Sequence, residues 1–175
     1  MRPPHKLSTD DELYKAALRA LMRRAHSVSE MRQALERRAT EKGAVPRVLQ
    51  RLQEEKLLED ARYARQFARY RAESRRQGRY RIAHEVRVRG VPDCLIEAAL
   101  EEVFAATDEA TLVRKRLERR LRQIRGGLDE QQIALLYRSL VRAGFSTDVI
   151  RAELRKLTKH DAAKVVEETL AEDDS

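Results

Sequence analysis

Apolar residues along this chain recur at intervals of three and four, with polar residues between them. That is the period of an amphipathic helix and not of a strand. A first stripe, from about residue 11 to about residue 24, puts Leu13, Ala17, Leu18, Leu21 and Met22 on one broad face. A second helix is predicted in "HSVSEMRQALERRA", with Met31, Ala34 and Leu35 inward. Ser27 or Ser29 caps it, and Glu30 stands where a capping box with Ser27 requires. A third follows in "VPRVLQRLQEEKLL", with Pro46 in its first turn and Val48, Leu49 and Leu52 inward.

The pattern then starts again. "EDARYARQFARYRAESRR" carries Tyr63, Phe67 and Tyr70 at helical spacing, which reads as a core stripe. After Gly78 comes "RYRIAHEVRVRG", with Ile82 and Val86 inward, and then a helix opened by Pro92 that buries Leu95, Ile96, Ala99, Leu100 and Val103. A third round begins near Asp108 with the stripe Leu112, Val113, Leu117, Leu121 and Ile124. Gly126 and Gly127 break it, Asp129 caps the next helix, and Ile133, Leu136, Tyr137, Leu140 and Val141 turn inward. Ser146 or Thr147 caps a last helix with Val149, Ile150, Leu154 and Leu157 inward, and a weaker periodicity runs on through Ala162, Val165, Val166 and Leu170.

One phrase recurs among these elements. "RVRGVPDCLIEAAL" and "LVRAGFSTDVIRAEL" each place an arginine and a glycine before a paired apolar step and a leucine. Gly90 and Gly144 anchor them, and Gly43 begins a weaker echo, all roughly fifty residues apart, within the range of helical repeats. Each glycine is read as a positive-φ position that closes the second helix of a repeat. The fold expected is therefore all-α: tandem three-helix repeats over 11–58, 59–106 and 107–158, forming an elongated, curved molecule, with an acidic tail over 159–175.

Composition supports helices. Of 175 residues only four are proline and six glycine, and tryptophan is absent. A lone cysteine, Cys94, has no internal partner, reads as a buried helix residue and fits a reducing compartment. No stretch is long and apolar enough to span a membrane, and no secretory signal is evident, so the expected location is cytoplasmic.

Charge changes the picture more. The formal net charge is +8 and it is unevenly placed. Between Arg62 and Arg89 ten arginines face only Glu73 and Glu85, and between Arg114 and Arg125 seven basic residues face only Glu118. Ten against two is too lopsided for local pairing alone. The candidate contact residues are Arg62, Arg65, Arg69, Arg71, Arg75, Arg76, Arg79, Arg81, Arg87 and Arg89, with Arg114, Lys115, Arg119, Arg120 and Arg122 as a second surface. Guanidinium forks suit phosphate and carboxylate alike, so the partner is nucleic-acid backbone or an acidic groove on a protein assembly. A tandem helical DNA-binding or transcription-regulatory module stays open as the alternative.

Catalytic chemistry is missing from the pattern. His5, His26, His84 and His160 are scattered without ligand spacing, and one cysteine makes no zinc site. No phosphate loop follows Gly126 and Gly127, and no nucleophile has a histidine and acid beside it. The reading is of a non-enzymatic protein without metal or cofactor.

The stretches "LYKAALRALMRRAHSVSEMRQALERR", "LQEEKLLEDARYARQFARYRAESRRQGRYRIAHEVRVRGVPDCLIEAALEE" and "LYRSLVRAGFSTDVIRAEL" together resemble the RecX family of bacterial regulators of the RecA recombinase. The family pattern falls on Tyr63, Phe67, Arg71, Gly90 and Ile96, and again on Tyr137, Arg138, Gly144 and Phe145. What the resemblance implies is a curved tandem of three-helix repeats that binds the RecA filament on single-stranded DNA. It implies inhibition of filament growth, ATPase and strand exchange by a monomeric chain, and it leaves open direct contact with DNA and repression of recombinase expression. Carried over by residue, Arg69, Arg71, Arg75 and Arg76 are the foremost contact candidates. The acidic stretch after Lys159 departs from the leaner family pattern, and it is read as a shield for a basic surface when no partner is present.

Overall fold

Side-chain caps decide where several of these helices begin. The structure is a computed structural model and describes residues 6–123 and 128–157. The first helix, α1 (Asp10–Arg23), starts at Thr9, whose hydroxyl accepts the Glu12 N–H at 3.2 Å while the Glu12 carboxylate reaches back to the Thr9 N–H. Ser27 does the same with Glu30 at the start of α2 (Val28–Glu36). These are followed by α3 (Ala44–Glu54), α4 (Asp60–Glu73), α5 (Arg79–Arg87), α6 (Asp93–Ala106), α7 (Glu109–Leu121) and α8 (Glu130–Arg142). A ninth, α9, occupies 147–157. Asp108 and Asp129 cap α7 and α8 as their positions predict. Among the described residues the remaining regular feature is an isolated bridge between Leu7 and Ala39.

The chain divides into two compact units, one of Met1–Ala68 with Ala83–Glu101 and the other of Arg69–Ile82 with Glu102–Ser175. In the first unit α1, α2 and α3 enclose Leu13, Ala17, Met31, Leu35, Val45, Val48, Leu49 and Leu52, with Leu58 and Leu7 closing the ends. Tyr63, Ala64 and Ala68 of α4, Val86 of α5, and Ile96, Ala99 and Leu100 of α6 are buried as well. In the second unit the buried residues are Ala72, Ile82, Val103, Leu112, Val113, Leu117, Leu136, Leu140, Phe145, Ile150 and Leu154.

The repeated glycine phrase has a matching structural job in each unit. Gly90 and Gly144 both have positive φ, 75° and 83°. In the first unit the turn at Gly90 receives the start of α2: the Ser27 hydroxyl donates to the Arg89 carbonyl at 2.5 Å, and Ser29 packs where a Gly90 side chain would lie. In the second, the turn at Gly144 receives the start of α5: Gly78 N–H donates to the Ala143 carbonyl at 2.8 Å and Tyr80 N–H to the Gly144 carbonyl at 3.0 Å. An acid completes each joint. Asp60, in the first turn of α4, accepts the Val28 N–H at 2.9 Å, and Glu109, in the first turn of α7, accepts the Arg79 N–H at 3.5 Å. The second helix of one round is thus capped by the opening acid and closing glycine turn of the next.

Several expectations need correction. Gly43 has φ −62° and opens α3 instead of closing α2, which already ends at Glu36, so its echo of the phrase is one of apolar spacing only. Met22, expected inward, is 87% exposed, because the buried face of α1 runs through Leu13, Ala16 and Ala17. Tyr70 is 52% exposed and does not share the core with Tyr63; the alanines Ala64, Ala68 and Ala72, four residues apart, form the buried face there. Val141 is 41% exposed, and Cys94 is exposed in the first turn of α6, whose inward side is defined by Ile96, Ala99, Leu100 and Val103. Ile124, the break at Gly126 and Gly127, and the periodicity beyond Leu157 lie outside the described residues.

Candidate anion-binding arginine cleft

Helical spacing on α7 brings Arg116, Arg119 and Arg120 to one side, with Gln123 in the turn that follows. They face the turn after α4, where Ser74, Arg75 and Arg76 complete a recessed cleft of about 290 Å³. Arg76 adopts a left-handed backbone, φ 49°, which is uncommon for a residue with a side chain. Its carbonyl accepts a hydrogen bond from Arg116 Nη1 at 3.3 Å. Burial, and then the charges of Arg120, Arg119, Arg81 and Arg76, hold the Arg116 guanidinium below its ordinary pKa. The cleft therefore concentrates positive charge against like charge.

Other arginines from the sequence list meet local partners. In the first unit Arg62 donates to the Lys56 carbonyl at 2.9 Å, and Arg87 pairs with Asp93 at 2.7 Å. Arg89 lies over the Phe67 ring, 4.6 Å from its centre, near a stacked Tyr63 and Phe67 pair, and reaches Glu30 at 4.0 Å. Burial, followed by the nearby Glu30 charge, pushes the Tyr63 hydroxyl up to about 12. Arg65 is exposed on α4 of the same unit.

In the second unit Arg69 pairs with Glu102 at 3.3 Å, and Arg79 sits 5.8 Å from the centre of the Phe104 ring. Arg81 donates to the Arg142 carbonyl at 3.1 Å, and Arg71 is half-buried. Arg114 is held by Asp108 at 3.7 Å and by buried Glu153 at 3.6 Å. Lys115 and Arg122 are exposed. Of the fifteen residues read from the sequence, the cleft gathers Arg75, Arg76, Arg119 and Arg120. It adds Arg116, whose signal was its spacing of three and four from Arg119 and Arg120.

Comparison with known proteins bears on what such a scaffold is. Residues 14–52 match the model of the first three-helix domain of RecX, and residues 60–100 match that of the second. The regulatory protein RecX of Halorhodospira halophila is 42% identical over 139 residues, spanning 78% of this chain and 83% of its own. This chain belongs to the RecX family. The RecX of Prosthecochloris aestuarii is 33% identical over 152 residues, covering 85% of this chain and 97% of that one. The crystal structure of RecX from Lactobacillus salivarius superposes with a TM-score of 0.70 at 20% identity, over 85% of this chain and 96% of that one, which is a likeness of fold. The RecX relatives carry the name of regulatory proteins, and a regulatory role comes with membership. Two tandem three-helix domains of RecX type thus account for α1 to the start of α6. No helix among the described residues is long and apolar enough to cross a membrane.

Proposed function

We propose that this chain is a non-enzymatic regulator that binds the RecA nucleoprotein filament on single-stranded DNA and inhibits its extension, ATPase and strand exchange. The observation that carries this reading is RecX-family identity of 42% across 78% of the chain. The arginines give it a physical means. An arginine-rich protein is steered toward a polyanionic assembly by long-range attraction, and its guanidinium groups then pair with carboxylate or phosphate. Arg69, Arg71, Arg75 and Arg76, with Arg62, Arg65, Arg79, Arg81, Arg87 and Arg89, are the proposed contacts, and Arg114, Lys115, Arg119, Arg120 and Arg122 extend them. The chain acts as a cytoplasmic monomer built of three repeats over 11–58, 59–106 and 107–158.

Co-sedimentation with preformed filaments on single-stranded DNA tests the reading, with the same DNA lacking recombinase as control. Retention by the filament at concentrations that leave naked DNA unbound is the expected result. Equal retention by naked DNA favours the DNA-binding module instead.

A further inference from the structure

The five arginines of the cleft differ from Arg69 and Arg114 of the same unit. Arg69 and Arg114 each have a carboxylate within 4 Å. Among the described residues no carboxylate forms an ion pair with Arg75, Arg76, Arg116, Arg119 or Arg120. Arg116 is half-buried, and its Nε is buried without a hydrogen-bond partner. A buried N–H without an acceptor is unfavourable, and so is a cluster of guanidinium groups with no carboxylate among the described residues beside it. A ligand carrying several negative charges relieves both at once.

The walls also restrict which anion fits. Ser74 and Gln123 are the neutral members, each able to donate a hydrogen bond to oxygen. Among the described residues no aromatic ring lines the cleft, so they offer a base nothing to stack on there. Its recessed shape suits adjacent phosphates held together, whereas an extended backbone carries its charges one by one along a track. Arg75 and Arg76 come from the turn after α4 and Arg116, Arg119 and Arg120 from α7, so donors converge from two sides. Each guanidinium offers several N–H groups in a planar fork suited to phosphate oxygens.

We propose that the cleft formed by the 74–76 turn and α7 is a binding site for a compact polyphosphate group, either inorganic or the phosphate chain of a nucleotide. Arg75, Arg76, Arg119 and Arg120 are also among the proposed filament contacts, but the site is a property of the isolated chain and its test uses no recombinase. Occupation neutralises the cleft, fixes the Arg76 turn against α7, and stabilises the second unit by mass action.

Calorimetric titration of the full chain with inorganic tripolyphosphate, at fixed ionic strength, tests it. Saturable single-site binding is expected, weakened about tenfold or more in Arg116→Gln/Arg120→Gln with helical circular dichroism retained. Arg75→Gln/Arg76→Gln reads the opposite wall, and serves alone if the first variant does not fold. Arg19→Gln/Arg32→Gln, exposed and outside the cleft, is expected to bind as the parent does. ATP binding equal to tripolyphosphate assigns the phosphate chain alone, and tighter ATP binding assigns a nucleotide. Absence of saturable binding at millimolar tripolyphosphate, or equal affinity in both cleft variants, overturns the proposal. So does displacement of tripolyphosphate by a thymidine oligonucleotide without terminal phosphates whose own binding is lost in the same variants, because the cleft is then a stretch of backbone track.

Discussion

Gly78 lies so close to Gly144 that a side-chain carbon on Gly78 would stand 2.2 Å from the Gly144 carbonyl oxygen. The contact is backbone against backbone, and the Gly78 N–H uses it to reach Ala143. Two glycines 66 positions apart in the chain, 144 against 78, thus form one joint.

Alanine at either position is expected to destabilise the protein strongly. At Gly144 it adds a left-handed backbone cost of about 1–2 kcal/mol to the clash with the Arg81 backbone, and overpacking at Gly78 costs about as much or more. Gly43→Ala is the control: φ is ordinary there, and the nearest atom is the end of the Glu41 side chain at 3.4 Å. Urea denaturation followed by circular dichroism is expected to show a large loss for Gly78→Ala and Gly144→Ala, and a change below about 1 kcal/mol for Gly43→Ala.

Ser27 does two jobs with one hydroxyl, accepting from Glu30 N–H and donating to the Arg89 carbonyl. It is fully buried. Ser27→Ala therefore removes a helix cap and leaves a carbonyl unsatisfied, for an expected loss of about 2 kcal/mol. Ser29→Ala keeps the cap and serves as the comparison in the same denaturation experiment.

Asp60 gives the joint a pH dependence. Burial, opposed by the Val28 N–H and assisted by Glu30, raises its pKa above the ordinary 3.8. The folded chain then holds this proton to higher pH than the unfolded chain does. Stability from this group consequently falls as pH rises from 3.8 through the raised value, and is level above it. Asp60→Asn keeps an oxygen to accept the Val28 N–H and is expected to remove that decline, while Asp60→Ala loses about 1 kcal/mol at neutral pH. Melting temperatures of the three proteins from pH 4 to pH 7 check the sign: a wild-type minus Asp60→Asn difference that grows with pH contradicts it.

Much of this was legible in the sequence, for reasons that are local. Ser27 with Glu30, Asp108 and Asp129 are caps because short side chains reach the N–H groups of their own helix, and a three-residue spacing reveals them. The phrase around Gly90 and Gly144 was legible as a turn, but its service to α2 and α5 depends on contacts some sixty residues apart, which spacing does not show. Tyr70, Met22 and Val141 have the period of core residues and stand outside it, since periodicity marks a face without saying how wide its cover is. Arg116 escaped because its position in the cleft depends on the fold of the 74–76 turn against α7. Arg87 and Arg114 looked available for a partner, and the structure gives them Asp93 and Glu153.

Neutralising Arg69, Arg71, Arg75 and Arg76 together to glutamine is expected to weaken filament inhibition about tenfold or more while leaving helicity intact. Inhibition by the parent is also expected to fall steeply with added salt, and the variant to show a shallower salt dependence. Unchanged inhibition by the folded variant removes these residues from the contact.

The regulator reading is tested most directly by titrating the purified protein into RecA ATPase on single-stranded DNA, with binding to the same DNA measured alongside. The expected result is loss of ATPase at concentrations where naked DNA remains unbound. ATPase that persists until the DNA itself is saturated with this protein contradicts it.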